Sequence, residues 1–215
     1  MPTLRIGVLS DTHGPLPESV FDLMSGAWSE GELNGRLWRQ ALCRHEGGGS
    51  LSLEEAVIGQ EGRTEPLRPL SSRRCGLIAH CGDIGPQSVL DELGAIARTV
   101  AVLGNNDYER YWCSDGDVRT FRSFQAEGVE VCMAHIPRDL DAALYGRGPL
   151  QPALVRQEPQ LALHGHTHVP RLSLQGSHVL LCPGSPTCGR NGSGHNVALV
   201  DVADGKLDAI SFIEV

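Results

Sequence analysis

Short apolar runs alternate with amphipathic segments in the first part of the chain, on both sides of one long irregular stretch. Residues 4–10, 76–80 and 99–103 predict buried strands, because each is an apolar segment of strand length. Apolar residues at helical spacing predict helices over residues 15–24 and 86–97. Strands that alternate with helices indicate parallel strand pairing.

The second part of the chain has a different pattern, in which strand-like runs follow one another. Turn residues separate several of these runs, and Asp204-Gly205 between two alternating runs is a strong hairpin signal. The runs are residues 121–125, 129–135, 161–164, 171–174, 178–182, 197–202 and 207–213. A short helix is expected over residues 149–156. The whole pattern predicts a mixed α/β domain with two packed sheets.

Residues 26–74 interrupt this order with Gly47-Gly48-Gly49-Ser50 and a turn-rich segment further on. Residues 35–44 and 51–58 are each compatible with a helix. So long a stretch inside a compact domain is typical of an inserted subelement or of a flexible segment. We therefore expect one domain over residues 1–215, with residues 26–74 as a surface insertion or a lid near the site.

Composition limits the function classes. The 215 residues suffice for one domain with a substantial core. A net charge of −8 argues against a nucleic-acid polymer as the main partner, since binding its backbone needs a basic surface. No apolar run is long enough to span a membrane, and the first five residues lack signal-peptide features, so a cytoplasmic location is expected. The seven cysteines form no CxxC pair and are expected to be reduced.

Side chains that bind metals follow the predicted strands in five short clusters. The clusters are Asp11-Thr12-His13, Gly82-Asp83, Gly104-Asn105-Asn106-Asp107, His135 and Gly165-His166-Thr167-His168. Because each comes at the end of an apolar run, they are expected to meet at one edge of a sheet. A single Asp at a strand end is as readily a helix N-cap, so the joint order carries the prediction. Asp, Asn and His suit Mn, Fe, Zn or Ni, and two such ions are typical of phosphate-ester hydrolysis.

These clusters, in this order, resemble the motif set of the calcineurin-like metallophosphoesterase superfamily, which is DxH, GD, GNxD or GNHD, H and GHxH. The small size and Cys182-Pro183-Gly184-Ser185 are similar to the YfcE-type phosphodiesterase branch. The resemblance covers residues 4–24 and 76–215. It implies a four-layer α-β-β-α sandwich, in which two mixed sheets are flanked by helices.

The resemblance also implies a role for each cluster residue. A first metal ion would be bound by Asp11, His13, Asp83 and His168. A second would be bound by Asp83, Asn105, His135 and His166, so that Asp83 bridges the two. Hydroxide activated by both ions would then attack the phosphorus of a small phosphate ester. Manganese is the expected metal, with iron, nickel or zinc as alternatives.

Asn106 and Asp107 are expected to contribute to catalysis without binding metal. Asn106 stands where many relatives have a histidine, and an amide donates a hydrogen bond to phosphate but cannot protonate a leaving group. Asp107 is expected to orient the site from behind the ligands. His80 and His164, beside the motifs, are expected to be supporting or core histidines.

The main hypothesis is therefore a two-metal phosphodiesterase or phosphatase, and two alternatives stay open. One is a nuclease of the same superfamily, which the acidic charge disfavours. The other is a non-catalytic protein-binding scaffold, a role that the resemblance brings in because the retromer subunit of this fold is one. A scaffold has no need of all seven candidate ligands, and all seven are present. A homo-oligomer is compatible with the resemblance.

Overall fold

The computed structural model describes residues 3–46, 50–59, 65–146 and 157–215, which form two large sheets, a two-stranded ribbon and four helices. The helix expected over residues 149–156 lies outside the described residues. The longest described helices have nine residues. None of the described helices is long and apolar enough to cross a membrane.

The described elements begin with strands and helices in alternation and continue mostly as strands. The helices are α1 (Glu18–Ser25), α2 (Glu30–Gly35), α3 (Ser88–Ile96) and α4 (Pro137–Tyr145). The first strands are β1 (Leu4–Leu9), β2 (Leu37–His45), β3 (Leu51–Val57), β4 (Leu77–His80), β5 (Arg98–Ala101), β6 (Trp112–Cys113) and β7 (Gly116–Asp117). The later strands are β8 (Phe121–Ala126), β9 (Val129–Ala134), β10 (Leu161–Leu163), β11 (Arg171–Gln175), β12 (His178–Cys182), β13 (Asn196–Ala203) and β14 (Lys206–Glu214).

The first large sheet has seven strands in the order β3-β2-β14-β13-β1-β4-β5. Strands β1, β4 and β5 are parallel, which confirms the pairing predicted from the alternation of strands and helices. Both faces of this part of the sheet are covered, and this explains why β1 and β4 are apolar apart from Arg5 and His80.

The second large sheet has five strands in the order β11-β12-β10-β9-β8. Its three central strands are parallel, and the two edge strands are antiparallel to their neighbours. In the first sheet, β13 and β14 form the hairpin predicted at Asp204-Gly205, where both turn residues have positive φ, 51° and 71°. Two successive positive φ values are typical of the tight turns that suit the twist of a hairpin.

Apolar side chains define four layers. Ile6 and Val8 of the first sheet pack with Val131 and Met133 of the second in one buried cluster between the sheets. A second cluster joins α1, α2 and α3 to the outer face of the first sheet, and a third joins α4 to the outer face of the second. The predicted α-β-β-α sandwich with two mixed sheets is thus confirmed.

The prediction of helices over residues 35–44 and 51–58 is wrong. Both segments are strands, β2 and β3, which pair with each other and extend the first sheet through β2 and β14. The pairing satisfies the backbone groups of β14, and the side chains of Ala41 and Cys43 become buried between the sheets. A short helix, α2, precedes them instead, and a capping box between Ser29 and Glu32 fixes its start.

Candidate functional site

All nine predicted site residues follow the ends of β1, β4, β5, β9 and β10. These strands are parallel to their neighbours within each sheet, namely β1, β4 and β5 in the first and β9 and β10 in the second, and parallel strands end at the same edge. The loops after them therefore meet at one end of the sandwich. The structure brings the seven predicted metal ligands together there in two adjoining groups.

The first group contains Asp11, His13, Asp83 and His168. One ligand atom from each of the four lies within 4.8 Å of the others. Nε2 of His168 is 3.2 Å from Nε2 of His13 and 3.2 Å from Oδ1 of Asp11. Asp11, Asp83 and His168 are buried, whereas His13 is exposed. These four residues are the set expected to bind the first metal ion.

The second group is centred on the amide oxygen of Asn105. This oxygen lies 3.1 Å from Nε2 of His135 and 2.8 Å from Nδ1 of His166. Asp83 connects the two groups, because its Oδ2 is 3.5 Å from Nε2 of His135 and 3.7 Å from Nε2 of His13. A single carboxylate oxygen thus faces one histidine of each group.

Backbone carbonyls determine how two of the histidines are oriented. Nδ1 of His135 lies 2.8 Å from the carbonyl oxygen of Cys81, and Nδ1 of His168 lies 2.6 Å from that of Cys188. A carbonyl only accepts, so in each ring Nδ1 carries the hydrogen. In the neutral ring Nε2 then directs a lone pair towards the site. Lone pairs of nitrogen and of carboxylate oxygen converge, an arrangement that is suited to bind a cation.

The pKa directions in the two groups express the same demand for positive charge. Burial by itself raises the pKa of Asp83, but hydrogen bonds from His135 and Asn106 outweigh burial and hold it well below its usual range. Burial lowers the pKa of His135, yet the bond to Asp83 and the charge of Asp11 outweigh that and raise it. Burial raises the pKa of Asp11. A protonated His135 is therefore favoured beside an ionised Asp83 carboxylate.

Five of the predicted ligands adopt a backbone conformation that is unusual for residues with a side chain. Their φ angles are positive, at 56° for Asp11, 52° for His13, 54° for Asp83, 69° for His166 and 59° for His168. Such conformations are uncommon outside glycine, and they cluster at functional sites. Bonds between loops hold them in place, including Asp11 N–H to the Gly82 carbonyl at 2.9 Å and His13 N–H to the Asp83 carbonyl at 3.0 Å.

Two motif glycines allow the loops to approach each other this closely. A Cβ on Gly104 would lie 2.1 Å from Oδ1 of Asp83 and 2.3 Å from its backbone nitrogen. A Cβ on Gly165 would lie 1.9 Å from Oγ of Ser10 and 2.8 Å from Oδ2 of Asp11. Any larger residue at these positions would push the ligand loops apart.

Asp107 and Asn106 both contact Asp83, in different ways. The carboxylate of Asp107 accepts backbone N–H groups from Asp83 at 2.9 Å, Ile84 at 2.8 Å and Gly104 at 2.7 Å. Asn106 donates to the Asp83 carboxylate from its backbone N–H at 2.8 Å and from its side-chain amide at 2.6 Å. Asp107 thus lies behind the ligands, and Asn106 lies beside them at the exposed side.

His80 and His164 stand outside both groups, in supporting positions. His80 is fully buried, and burial lowers its pKa to about 3, so its ring is neutral. Its Nδ1 accepts the Gly82 N–H at 3.2 Å, and its Nε2 therefore donates to Oγ1 of Thr12 at 3.1 Å. His164 is also buried, with Nδ1 2.9 Å from the Gly165 carbonyl.

Three hydroxyl residues that the sequence interpretation passed over brace the first loop. Thr12 donates to the Ile84 carbonyl at 2.5 Å. Ser185 donates to the Asp11 carbonyl at 2.8 Å, and Thr187 donates to the Thr12 carbonyl at 2.8 Å. Thr12 lies within Asp11-Thr12-His13, and Ser185 is the last residue of Cys182-Pro183-Gly184-Ser185. These places within motifs could have identified both residues, although neither residue type commonly binds metal.

Comparison with known families agrees with this geometry. The model of the calcineurin-like phosphoesterase superfamily domain matches residues 62–205. The chain belongs to the calcineurin-like phosphoesterase superfamily. The matched residues contain five of the seven predicted metal ligands. The other two, Asp11 and His13, lie before residue 62.

Two curated archaeal proteins are similar in sequence. A probable metallophosphoesterase of Methanocaldococcus jannaschii, MJ0623, is 32% identical over 117 residues, which cover 53% of this chain and 55% of that protein. A probable metallophosphoesterase of Methanothermobacter thermautotrophicus is 32% identical over 138 residues, which cover 62% of this chain and 73% of that protein. The chain thus spans little more than half the length of the first relative.

Solved structures share the fold at low sequence identity. A novel archaeal phosphodiesterase aligns over 97% of this chain and 99% of its own, with a TM-score of 0.58 and 18% identity. The phosphoesterase Yfce of E. coli aligns over 96% and 98%, with a TM-score of 0.52 and 18% identity. Vps29 of Entamoeba histolytica in complex with zinc aligns over 96% and 90%, with a TM-score of 0.56 and 16% identity. These likenesses show the fold alone.

Proposed function

We propose that this protein is a metal-dependent phosphoesterase that hydrolyses small phosphate esters, phosphodiesters in particular, with two divalent cations. The observation that carries the proposal is the position of Asp83, whose Oδ2 faces His13 of one group and His135 of the other. A carboxylate between two groups of nitrogen and oxygen donors is suited to bridge two cations. The superfamily membership supports the same reaction class.

The donor set fits such cations. Asp11, His13, Asp83 and His168 form one candidate set, and Asp83, Asn105, His135 and His166 form the other. Imidazole nitrogens with carboxylate and amide oxygens suit first-row divalent metals, and we propose manganese, with iron, nickel and zinc as alternatives. When bound, two such cations lower the pKa of a water and neutralise charge on the phosphoryl oxygens.

Exposure in the site indicates the side from which substrate approaches. Asp11, Asp83, His135 and His168 are buried, whereas His13, Asn105 and Asn106 are exposed. A phosphate group therefore approaches along the exposed side and meets the Asn106 amide there. That amide donates a hydrogen bond to a phosphoryl oxygen but has no proton to give to the leaving alcohol. We accordingly expect faster turnover of esters whose alcohols leave as stable anions.

The direct test is hydrolysis of bis-p-nitrophenyl phosphate by protein stripped of metal and then supplied with manganese. We expect turnover that depends on manganese and that Asp83→Asn lacks. Asp91→Asn is the matched control, since Asp91 is exposed on α3 and its carboxylate bonds to Gln87. Absence of turnover with manganese, nickel and zinc, from protein shown by elemental analysis to hold the metal, would reject the proposal.

Turnover, rather than metal binding, separates this proposal from a protein-binding scaffold. The fold is as similar to Vps29, at a TM-score of 0.56, as to the archaeal phosphodiesterase, at 0.58. The Vps29 structure is itself described as a zinc complex. A metal-loaded protein without activity would therefore favour the scaffold.

A further inference from the structure

A cavity of about 170 Å³ adjoins the second group of candidate ligands. Its walls are formed by Leu103, Asn105, Thr120, His135, Ile136 and Asp139. Asn105 and His135 belong to the group itself, so the cavity begins where the phosphoryl group of a substrate would sit. The other four residues have no part in the proposed binding of metal.

The size of the cavity selects the group that fits in it. At roughly 30 Å³ for each water molecule in the liquid, about 170 Å³ is the volume of five or six waters. A short alcohol arm of an ester fits that space.

The residues that line the cavity also restrict which ester arm it can bind. Leu103 and Ile136 contribute apolar surface, Thr120 contributes a hydroxyl, and Asp139 contributes the one carboxylate among the lining residues. The Asp139 side chain is 44% exposed, and its ion pair with Arg138 is long, at 3.7 Å from a side chain that is 88% exposed. Because an exposed ion pair contributes little to stability, the Asp139 carboxylate remains available to contact a ligand.

The start of α4 positions the backbone of Asp139 at the edge of the cavity. Asp139 lies in the first turn of α4, which begins with Pro137, and its backbone N–H bonds to the Ile136 carbonyl at 3.0 Å. A negative side chain is favoured in the first turn of a helix, and the Asp139 carboxylate lies there beside the cavity. An ester arm with a positive charge would be attracted there, and an anionic arm would be repelled.

Resting on the proposed function, we propose that this cavity is a subsite for one alcohol arm of the substrate and that Asp139 makes it select small cationic arms. The substrate class is a phosphate ester of a short amino alcohol or quaternary ammonium alcohol. The apolar walls contact its methylene or methyl groups, and Asp139 faces its charge. Asp139 is then a specificity-determining residue outside the metal-binding sets.

The test compares two chromogenic diesters that differ in one atom of the arm. p-Nitrophenyl phosphocholine carries a trimethylammonium group, and p-nitrophenyl 3,3-dimethylbutyl phosphate carries the neutral group of the same shape. We expect the manganese-loaded protein to favour the cationic ester about two- to fivefold in kcat/KM, as a partly exposed charge pair allows. Asp139→Asn reduces the ratio to about 1, and Asp139→Glu restores the preference.

Asp141→Asn is the matched control, since Asp141 is exposed on the same helix and does not line the cavity. Its ratio is expected to equal that of the unmodified protein. Calorimetric titration of the zinc-loaded protein with phosphocholine and with 3,3-dimethylbutyl phosphate gives a second readout that needs no turnover. The same preference, lost in Asp139→Asn, is expected in the binding constants.

The outcomes separate this inference from the proposed function. Hydrolysis of bis-p-nitrophenyl phosphate together with equal rates for the two matched esters overturns the subsite and leaves the phosphoesterase intact. A preference that persists in Asp139→Asn also overturns it. If no ester is hydrolysed, the proposed function fails, and equal binding of the two phosphates then removes the subsite as well.

Discussion

Oδ2 of Asp107 accepts the backbone N–H of Asp83 at 2.9 Å, and the same oxygen accepts the N–H of Gly104 at 2.7 Å. Its second oxygen accepts the N–H of Ile84 at 2.8 Å. One side chain thus joins the loop after β4 to the loop after β5. Asp83 belongs to both groups of candidate ligands, so Asp107 sets the position on which both groups depend.

Replacing Asp107 with Asn is expected to weaken metal binding without removing a ligand. The amide leaves at least one buried N–H without an acceptor, at a cost of about 1–3 kcal/mol in the free energy of unfolding. Loss of such a supporting partner lowers metal affinity by about 10–100-fold. Calorimetric titration with manganese measures this, with Asp91→Asn as the control. Unchanged affinity in a less stable Asp107→Asn protein would show that Asp107 supports the fold only.

Gly104→Ala is expected to abolish turnover, since the new Cβ would meet the backbone nitrogen of Asp83 at 2.3 Å. Backbone cannot rotate away as a side chain can, so the two loops must separate. Gly35→Ala is the matched control, because a Cβ there meets nothing within 4 Å. Kinetics of bis-p-nitrophenyl phosphate hydrolysis compare the two variants. Full activity in Gly104→Ala would contradict the close packing of these loops.

Thr12 and His80 are expected to be coupled energetically. Thr12→Val removes the acceptor of the buried Nε2–H of His80, and His80→Leu removes the donor. Each single change is expected to cost about 1–3 kcal/mol, because a buried polar group loses its partner. The double variant is expected to cost less than the sum, by at least about 0.5 kcal/mol. Urea unfolding of the four proteins measures the coupling, and strict additivity would disprove it.

A buried ion network away from the site is expected to govern acid stability. Asp201 accepts from Nε of Arg5 at 2.8 Å, from Nη2 of Arg5 at 3.0 Å and from Nη2 of Arg73 at 3.0 Å. Burial by itself raises the pKa of Asp201, but the two arginines outweigh burial and hold it below its usual value. The carboxylate therefore stabilises the fold.

The sign of the pH effect follows from that direction. A folded pKa below the unfolded value of about 3.9 means that the unfolded chain binds the proton more readily. The stabilisation is complete above about pH 4 and is lost as the pH falls through the folded pKa. Asp201→Asn is expected to cost about 3–5 kcal/mol at pH 7 and to flatten the stability profile below pH 4.

Urea unfolding between pH 3 and pH 7 measures both effects. Asp115→Asn is the control, since Asp115 pairs with Arg98 at the surface and is expected to contribute no more than about 1 kcal/mol. A loss in Asp201→Asn no larger than in this control would contradict the buried network.

The sequence predicted the central strands because burial on both faces leaves a plain signal. Residues of β1 and β4 are nearly all buried, so both strands are apolar apart from Arg5 and His80. The convergence of the five clusters followed from their places at strand ends. The same order of strands and helices also implied the parallel pairing that brings those ends together.

The prediction of helices over residues 35–44 and 51–58 was wrong because contacts between residues far apart in sequence determine the structure there. Arg39, Gln40, Ala41 and Leu42 are good helix formers, but pairing with β14 outweighs these weak preferences. No local pattern reveals a partner that lies about 170 residues away. No helix was predicted over α4, although its sequence contains a local signal. Pro137 occupies the first turn of that helix, where proline is favoured.

The contacts that arrange the site were the hardest to foresee. The carbonyls of Cys81 and Cys188 orient His135 and His168, and any residue type supplies a carbonyl. The positive φ angles of five ligands likewise leave no mark in composition. Residue type therefore indicated which side chains meet, whereas the backbone determines how they are held.

The bridging role of Asp83 is tested most directly by titrating metal-free protein with manganese while the hydrolysis of bis-p-nitrophenyl phosphate is followed. The two groups joined by Asp83 predict that two equivalents bind per chain and that the rate rises with the second. Asp83→Asn is expected to bind fewer equivalents and to remain inactive. Full activity after a single equivalent, or an active Asp83→Asn protein, would contradict a site built around one bridging carboxylate.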